Sequence, residues 1–229
     1  MASLFSVDKI RRFSNIVLAS GSPRRKEILV EKGGVKDLVI RQSTYEEESK
    51  ALFDHSDVYS YITGIAKGKV EQVARLEKAK DENEQYMNTL FIGADTVVLQ
   101  NEKIFEKPKD RTDAASMLKS FRDASKHQVC SGVVLLVPNP SPASEEEFLS
   151  HVFHETTDVL FAPIDDATIE KYLDLNEWMD KAGGYGIQAQ GAQLIESISG
   201  DYYNVMGFPL CRFCKELRLF IESLEHLST

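Results

Sequence analysis

The chain has 229 residues, 42% hydrophobic and 28% charged, an ordinary globular mixture that excludes disordered, collagen-like and coiled-coil classes. Lys plus Arg number 27 against 36 Asp plus Glu, so the net charge is −9 and coating nucleic acid or an anionic membrane is disfavoured. Any polyanion it binds must meet a local gathering of cations, and its longest apolar run, residues 129–137, is far short of the roughly 20 that a membrane span needs.

Residues 15–19 (NIVLA) form a short apolar run expected to be a buried strand. Ser20-Gly21-Ser22-Pro23-Arg24-Arg25 follows at once: Ser22 is a good N-cap, and Pro23 suits the first helical position, where its missing N–H costs nothing. Ile28 and Leu29, with Val30, are expected to give this helix its inward face, and Gly33-Gly34 ends it. Residues 35–42 are expected to be a second strand, with the acidic cluster Glu46-Glu47-Glu48 in the loop after it. Apolar residues at helical spacing (Ile62, Ile65, Ala66, Val70, Val73 and Leu76) predict a long helix over residues 58–78. Residues 89–99 read as a strongly apolar strand interrupted at Gly93-Ala94-Asp95-Thr96. A short helix over 112–121, capped by Thr112, comes next. Residues 128–137 and 148–161 read as two strands joined by a Pro-, Ser- and Glu-rich loop, 138–148, expected to be mobile. Helices are expected over 165–175 and 209–227, with a Gly-rich turn region, 183–191, between them. Short connections between some neighbouring strands argue for a mixed sheet in an α/β domain. No internal repeat or linker divides residues 1–229, and residues 1–13 read as an N-terminal extension.

The start of the chain has no apolar segment of signal-peptide length, and three cysteines make no disulfide framework. A soluble, cytoplasmic protein is expected.

Three places could carry chemistry. At the Ser20–Arg25 turn, a helix N-terminus, two hydroxyls and two guanidinium groups offer donors suited to phosphate oxygens. Cations are disfavoured at that end of a helix, so two arginines there point to an anion rather than to a merely capped helix. Asp95 lies within FIGADTVVL, where a carboxylate is costly to bury unless paired or used, and Gly93 and Ala94 leave room for a ligand at the backbone. Glu106-Lys107-Pro108 is a short turn that says nothing alone. Other templates fail. Cys211 and Cys214 form a lone CxxC, better read as core packing. His151 and His154, three apart on a predicted strand, face opposite sides. No phosphate-binding glycine motif has the right spacing.

Together the segments LASGSPRR (18–25), Glu46-Glu47, Ala66-Lys67-Gly68-Lys69, GADTVV (93–98), EKP (106–108), MDKAGGYGIQ (179–188) and GDYYNVMGFPL (200–210) resemble the Maf family of nucleoside triphosphate pyrophosphatases, in the family's order and over nearly the whole chain. The resemblance implies an elongated mixed sheet flanked by helices around a deep central cleft, like that of the inosine triphosphatase type, and a homodimer. It implies Asp95 as proton acceptor, and Ser20, Ser22, Arg24, Arg25, Lys69 and Lys107 as the residues holding a triphosphate. Glu47, with Asp95, would help bind a divalent cation, Mg²⁺ or Mn²⁺. Asp180, Lys181 and Gln188 would form the far wall, and Arg24, Thr96 and Gln188 would bear on substrate choice. Two arginines and the YGIQ segment match the branch that hydrolyses dTTP and UTP to the monophosphate and pyrophosphate. The alternatives are 7-methyl-GTP or broad nucleotide specificity, or a nucleotide-binding regulator of cell division with little turnover. Against the pattern of the family it resembles, the chain has a longer loop in the 140s than the usual turn, and Gly68 where bacterial members often carry a larger residue.

Overall fold

The computed structural model describes residues 6–45, 57–80, 85–141 and 144–227. Its seven strands make one mixed sheet in the order β2-β1-β3-β5-β6-β7, with β4 also paired to β3. These are β1 (Asn15–Leu18), β2 (Leu38–Ile40), β3 (Thr89–Gln100), β4 (Lys103–Phe105), β5 (Lys126–Pro138), β6 (Phe148–Phe161) and β7 (Ile195–Ser199). β1 runs parallel to β2 and to β3, and every other pairing is antiparallel. The helices are α1 (Pro23–Glu27), α2 (Val58–Lys78), α3 (Arg111–Ala124), α4 (Asp166–Asp174), α5 (Tyr202–Met206) and α6 (Leu210–His226).

Both faces of the central strands are covered, which is why they read as continuous apolar runs rather than alternating ones. Val17, Phe91 and Val134 pack under Ala66, Val70 and Val73 of α2. Leu18, Ile92 and Leu135 pack on the other face with Phe213, Leu217 and Ile221 of α6. His151 and His154 follow the same alternation: His154 stacks on Tyr59 of α2 at 4.1 Å, while His151 bonds to Glu216 of α6 at 2.6 Å.

Several expectations need correction. β3 is not interrupted at residues 93–96 but runs through them, because β5 pairs with it residue by residue from Phe91 to Leu99. The second strand shrinks to Leu38–Ile40, because Val35 N–H donates to Leu29 O and Asp37 takes φ +55, so this stretch closes the preceding turn. α1 runs on into a π turn over Ile28–Lys32 that closes at Gly33 N–H to Ile28 O, 2.8 Å; Ile28 and Leu29 are buried there, but Val30, expected on the inward face, is exposed. α3 begins at Arg111 and is capped by Asp110, not Thr112. The Asp110 carboxylate accepts from Asp113 N–H at 2.8 Å, and that of Asp113 accepts from Lys109 N–H at 3.0 Å, a reciprocal cap. Of the CxxC pair, only Cys214 packs against the core; Cys211 is exposed. The ends of the 138–148 loop are tied down, with Asn139 bonded to the backbone of Glu146 and Glu147, and Glu147 paired with Arg75 and Lys78 of α2.

A glycine on each of two neighbouring strands, Gly93 of β3 and Gly132 of β5, lets α2 come close to the sheet. A Cβ on Gly93 would sit 2.5 Å from Ala66 O, and one on Gly132 would sit 2.8 Å from the backbone of Ile62 and Thr63. The room at Gly93 is therefore filled by α2 and not by a ligand, contrary to the sequence expectation. Further along the same helix, the ring of Tyr45 lies on Gly68, where a Cβ would fall 1.8 Å from Tyr45 Cε1. Gln72, one turn on, accepts from Ser43 Oγ and Thr44 N–H and so fastens the same loop to α2.

Candidate active site

A cleft of about 230 Å³ opens where β1 stops. The last rung between β1 and β3 is Ala19 N–H to Ile92 O at 2.8 Å, and β4 takes up the same edge of β3 only from Val98 onward. Asp95 lies in the uncovered stretch between them. Its carboxylate is 16% exposed, and Lys69 Nζ donates to it at 2.7 Å from α2, whose close approach Gly93 and Gly132 permit. Lys67 instead points outward to Glu71.

The turn after β1 forms the floor. Ser20 Oγ accepts from Ser22 N–H at 3.2 Å, and Ser22 Oγ caps α1 by accepting from Arg25 N–H at 3.5 Å, so each hydroxyl keeps its proton for donation. Arg24 reaches across to the far wall, donating to the Asp180 carboxylate at 2.7 Å and to Asp180 O at 3.0 Å. Lys181 Nζ donates to the other carboxylate oxygen of Asp180 at 2.8 Å. Partial burial works against the Asp180 charge, but these two cations outweigh it and hold its carboxyl below the usual range. Arg25 turns inward instead, onto Ser20, Ala94, Thr96 and Gly207.

The far wall is the segment after α4. Gly183 and Gly184 both take positive φ, near +70°, and a Cβ on Gly183 would meet Val98 and Phe121, so the chain turns here only as glycine. Tyr185 follows, buried against Phe161 and bonded at 2.6 Å to the buried His127. Burial pushes the His127 imidazole down to about 4, so it is neutral at pH 7. Gln188 lines the cleft, and its amide makes no hydrogen bond to any described residue. Glu177 accepts from Gln190 and Gly191 N–H and so closes the segment behind it.

The structure thus brings together in one cleft Ser20, Ser22, Arg24, Arg25, Lys69, Asp95, Thr96, Lys107, Asp180, Lys181 and Gln188. Glu47 lies outside the described residues. Gln42, Ser43, Tyr185, Val205 and Met206 also line the cleft and were not singled out in the sequence. Tyr185 lies in MDKAGGYGIQ and Val205 and Met206 in GDYYNVMGFPL, two of the segments that carry the resemblance, whereas Gln42 and Ser43 had no signal. Five lining side chains are cationic and two are carboxylates, the reverse of the whole chain's −9. A cleft of that sign concentrates anions.

Residues 15–220 match the family model described as "Maf-like protein". The chain belongs to the Maf family. Among Maf-family relatives, it is 40% identical over 200 residues to the dTTP/UTP pyrophosphatase of Clostridium novyi (strain NT), covering 87% of this chain and 94% of that protein. The dTTP/UTP pyrophosphatase of Halalkalibacterium halodurans is 37% identical over 204 residues, covering 89% and 95%. The probable bifunctional dTTP/UTP pyrophosphatase/methyltransferase protein of Homo sapiens is 40% identical over 202 residues, 88% of this chain; the match spans 31% of that longer protein. Among solved structures, the Ham1 protein of Staphylococcus aureus aligns over 93% of this chain and 99% of its own, with TM-score 0.44 and 15% identity. Among the described residues, no helix is long and apolar enough to cross a membrane.

Proposed function

We propose that this Maf-family chain hydrolyses dTTP and UTP between the α and β phosphates, releasing the nucleoside monophosphate and pyrophosphate. The observation that carries the reading is a partly buried carboxylate, Asp95, gripped by Lys69 at 2.7 Å inside a cationic cleft of an otherwise acidic chain. A triphosphate needs several cations at once, and Arg24, Lys69, Lys107 and Lys181, with the hydroxyls of Ser20 and Ser22, supply them. Arg24 and Lys181 release Asp180 in part as phosphate oxygens compete for their N–H groups. Asp95 accepts the proton of the water that attacks the α phosphorus, and the bond to pyrophosphate breaks in line with that attack.

The donor set fits a divalent cation such as Mg²⁺ or Mn²⁺ brought in with the phosphates. Such ions take one or two carboxylates plus substrate oxygens rather than an all-protein cage. Among the described residues no cluster of three acidic, His or Cys ligands occurs, while one oxygen of Asp95 is left over from its bond to Lys69. Asp95 would hold such an ion together with the phosphate oxygens, and it would supply positive charge to offset that of the leaving pyrophosphate.

Gln188 reads the base. Uracil and thymine present an N–H between two carbonyls, which an amide pairs with in two bonds, whereas cytosine reverses that pattern at N3 and C4. A cytoplasmic homodimer completes the proposal, checked by light scattering and by fractionation. The deciding assay is a panel of ribo- and deoxynucleoside triphosphates, with and without Mg²⁺ or Mn²⁺, scored for pyrophosphate against orthophosphate. Stepwise orthophosphate release, or full activity after chelation, overturns the reading.

A further inference from the structure

Of the two adjacent arginines in the cleft, Arg25 uses its guanidinium on the protein itself. Nη1 donates to Ala94 O at 2.8 Å and to Ser20 Oγ at 3.0 Å, Nη2 donates to Thr96 Oγ1 at 3.1 Å, and Nε donates to Gly207 O at 3.0 Å. The place of these acceptors explains the arrangement. Carbonyls alternate along a strand, so after Ile92 O, which accepts from Ala19 N–H, the next acceptor on that edge of β3 is Ala94 O. β1 has already turned away and β4 has not yet begun, so no strand among the described residues reaches it. Arg25 supplies the missing rung. Ala94 O belongs to the peptide bond that leads into Asp95, and Thr96 follows Asp95, so the guanidinium holds the backbone just before the carboxylate residue and the side chain just after it. Thr96 Oγ1 is itself 2.9 Å from Ser131 Oγ on β5 and 3.2 Å from Gly207 O after α5. One planar fork therefore joins the turn after β1, the open stretch of β3 and the α5–α6 junction. An ammonium carries its donors on a single nitrogen and cannot reach all four acceptors.

We propose that Arg25 is a positioning residue, which fixes the Asp95 peptide where the sheet edge is open, and that the triphosphate is held by Arg24 and the lysines without it. Arg24, whose partner is a carboxylate at the far wall, is the arginine free to exchange a protein partner for phosphate. The proposal refines the pyrophosphatase reading, from which its turnover arm derives.

The test compares Arg25→Lys with Arg24→Lys in the full-length protein, measuring UTP turnover, binding of inorganic pyrophosphate by calorimetry, and amide hydrogen exchange at residues 94–96. Arg25→Lys should lower kcat by about 100-fold, the scale of a small misplacement of a reacting group. It should also speed exchange at residues 94–96 and leave the pyrophosphate Kd within about threefold of wild type, since a ligand shell that keeps its donors keeps its affinity. Arg24→Lys should weaken pyrophosphate binding by about tenfold through loss of a bidentate contact, with exchange at residues 94–96 unchanged. Weakened pyrophosphate binding in Arg25→Lys with normal exchange overturns the proposal, and so does a variant unchanged in all three measurements. Should Arg25→Lys fail to fold, Thr96→Val removes one acceptor of the fork; faster exchange at residues 94–96 with an unchanged pyrophosphate Kd is then required, and its absence refutes the idea. Binding and exchange are read without turnover, so a wild type that releases no pyrophosphate from any nucleotide counts against the proposed function and leaves the role of Arg25 to be decided by those two.

Discussion

The His127–Tyr185 pair ties acid stability to the wall of the cleft. His127 is 2% exposed, its ring stacked on Phe121 at 4.4 Å and edge-on to Phe161, and its buried Nδ1 has no hydrogen-bond partner among the described residues. Burial lowers its pKa from 6.5 to about 4. In the unfolded chain the imidazole takes up a proton below about 6.5, while the folded form declines it until about 4. The unfolded state thus binds more protons across that window, and stability must fall as pH falls through it. A gap of this size corresponds to about 3 kcal/mol when fully developed, of which about 2 kcal/mol is expressed by pH 5. His127→Gln keeps an amide to meet the Tyr185 hydroxyl but cannot titrate. Urea unfolding of both proteins at pH 7.5 and pH 5 isolates the effect: wild type should lose about 2 kcal/mol more than the variant between the two pH values, whatever the variant's absolute stability. Parallel losses would mean that His127 is not held neutral in the fold, and the packing around Tyr185 would have to be read differently.

Asp95→Asn keeps size and hydrogen bonding but cannot take a proton; turnover should vanish while nucleotide binding, measured by calorimetry, persists. Gln188→Ala should cost about 1–3 kcal/mol of discrimination, the worth of one buried polar partner, and so narrow the UTP/CTP ratio of kcat/KM more than it lowers UTP turnover. An unchanged ratio would assign base reading to the backbone. Gly93→Ala should destabilise by about 1–3 kcal/mol, as overpacking does, since its Cβ falls 2.5 Å from Ala66 O. It should also impair turnover by displacing α2 and with it Lys69, a pairing of effects that thermal melts and UTP kinetics check together.

What was legible in the sequence was local. Ser22-Pro23 announced a helix start because cap chemistry acts within three residues, and β6 spans the expected residues 148–161, its start marked by the Pro-, Ser- and Glu-rich loop before it. Thr112 was mistaken for a cap because Asp110, two residues earlier, does the same job with a charge. β4 was missed because it is three residues long and is created by a two-residue turn at Asn101-Glu102, both with positive φ, rather than by a hydrophobic run. α5 ends on Gly207 at φ +113, and its five residues carry no periodicity to detect. The Ser20–Arg25 turn and Asp95 stand out by their own chemistry, the other cleft residues come together only by resemblance, and what each one touches is beyond the sequence. Arg24 and Arg25 are neighbours in the chain with the same chemistry, yet one faces a carboxylate across the cleft and the other an unpaired strand edge. Only the point where β1 leaves β3 tells them apart.

The contact between Gly68 and Tyr45 makes two positions, far apart in sequence, answer to each other during evolution. With the ring lying on the helix backbone, the site admits an aromatic at 45 or a side chain at 68 but not both, so neither can drift freely from the present state. A descendant that enlarges residue 68 must first shed the ring or accept a displaced loop beside Ser43. The order of substitutions is thereby constrained, small at 45 before large at 68. Related chains that carry a bulkier residue at 68 should accordingly lack a ring in this place, and exchanging both positions together should be tolerated where exchanging 68 alone is not.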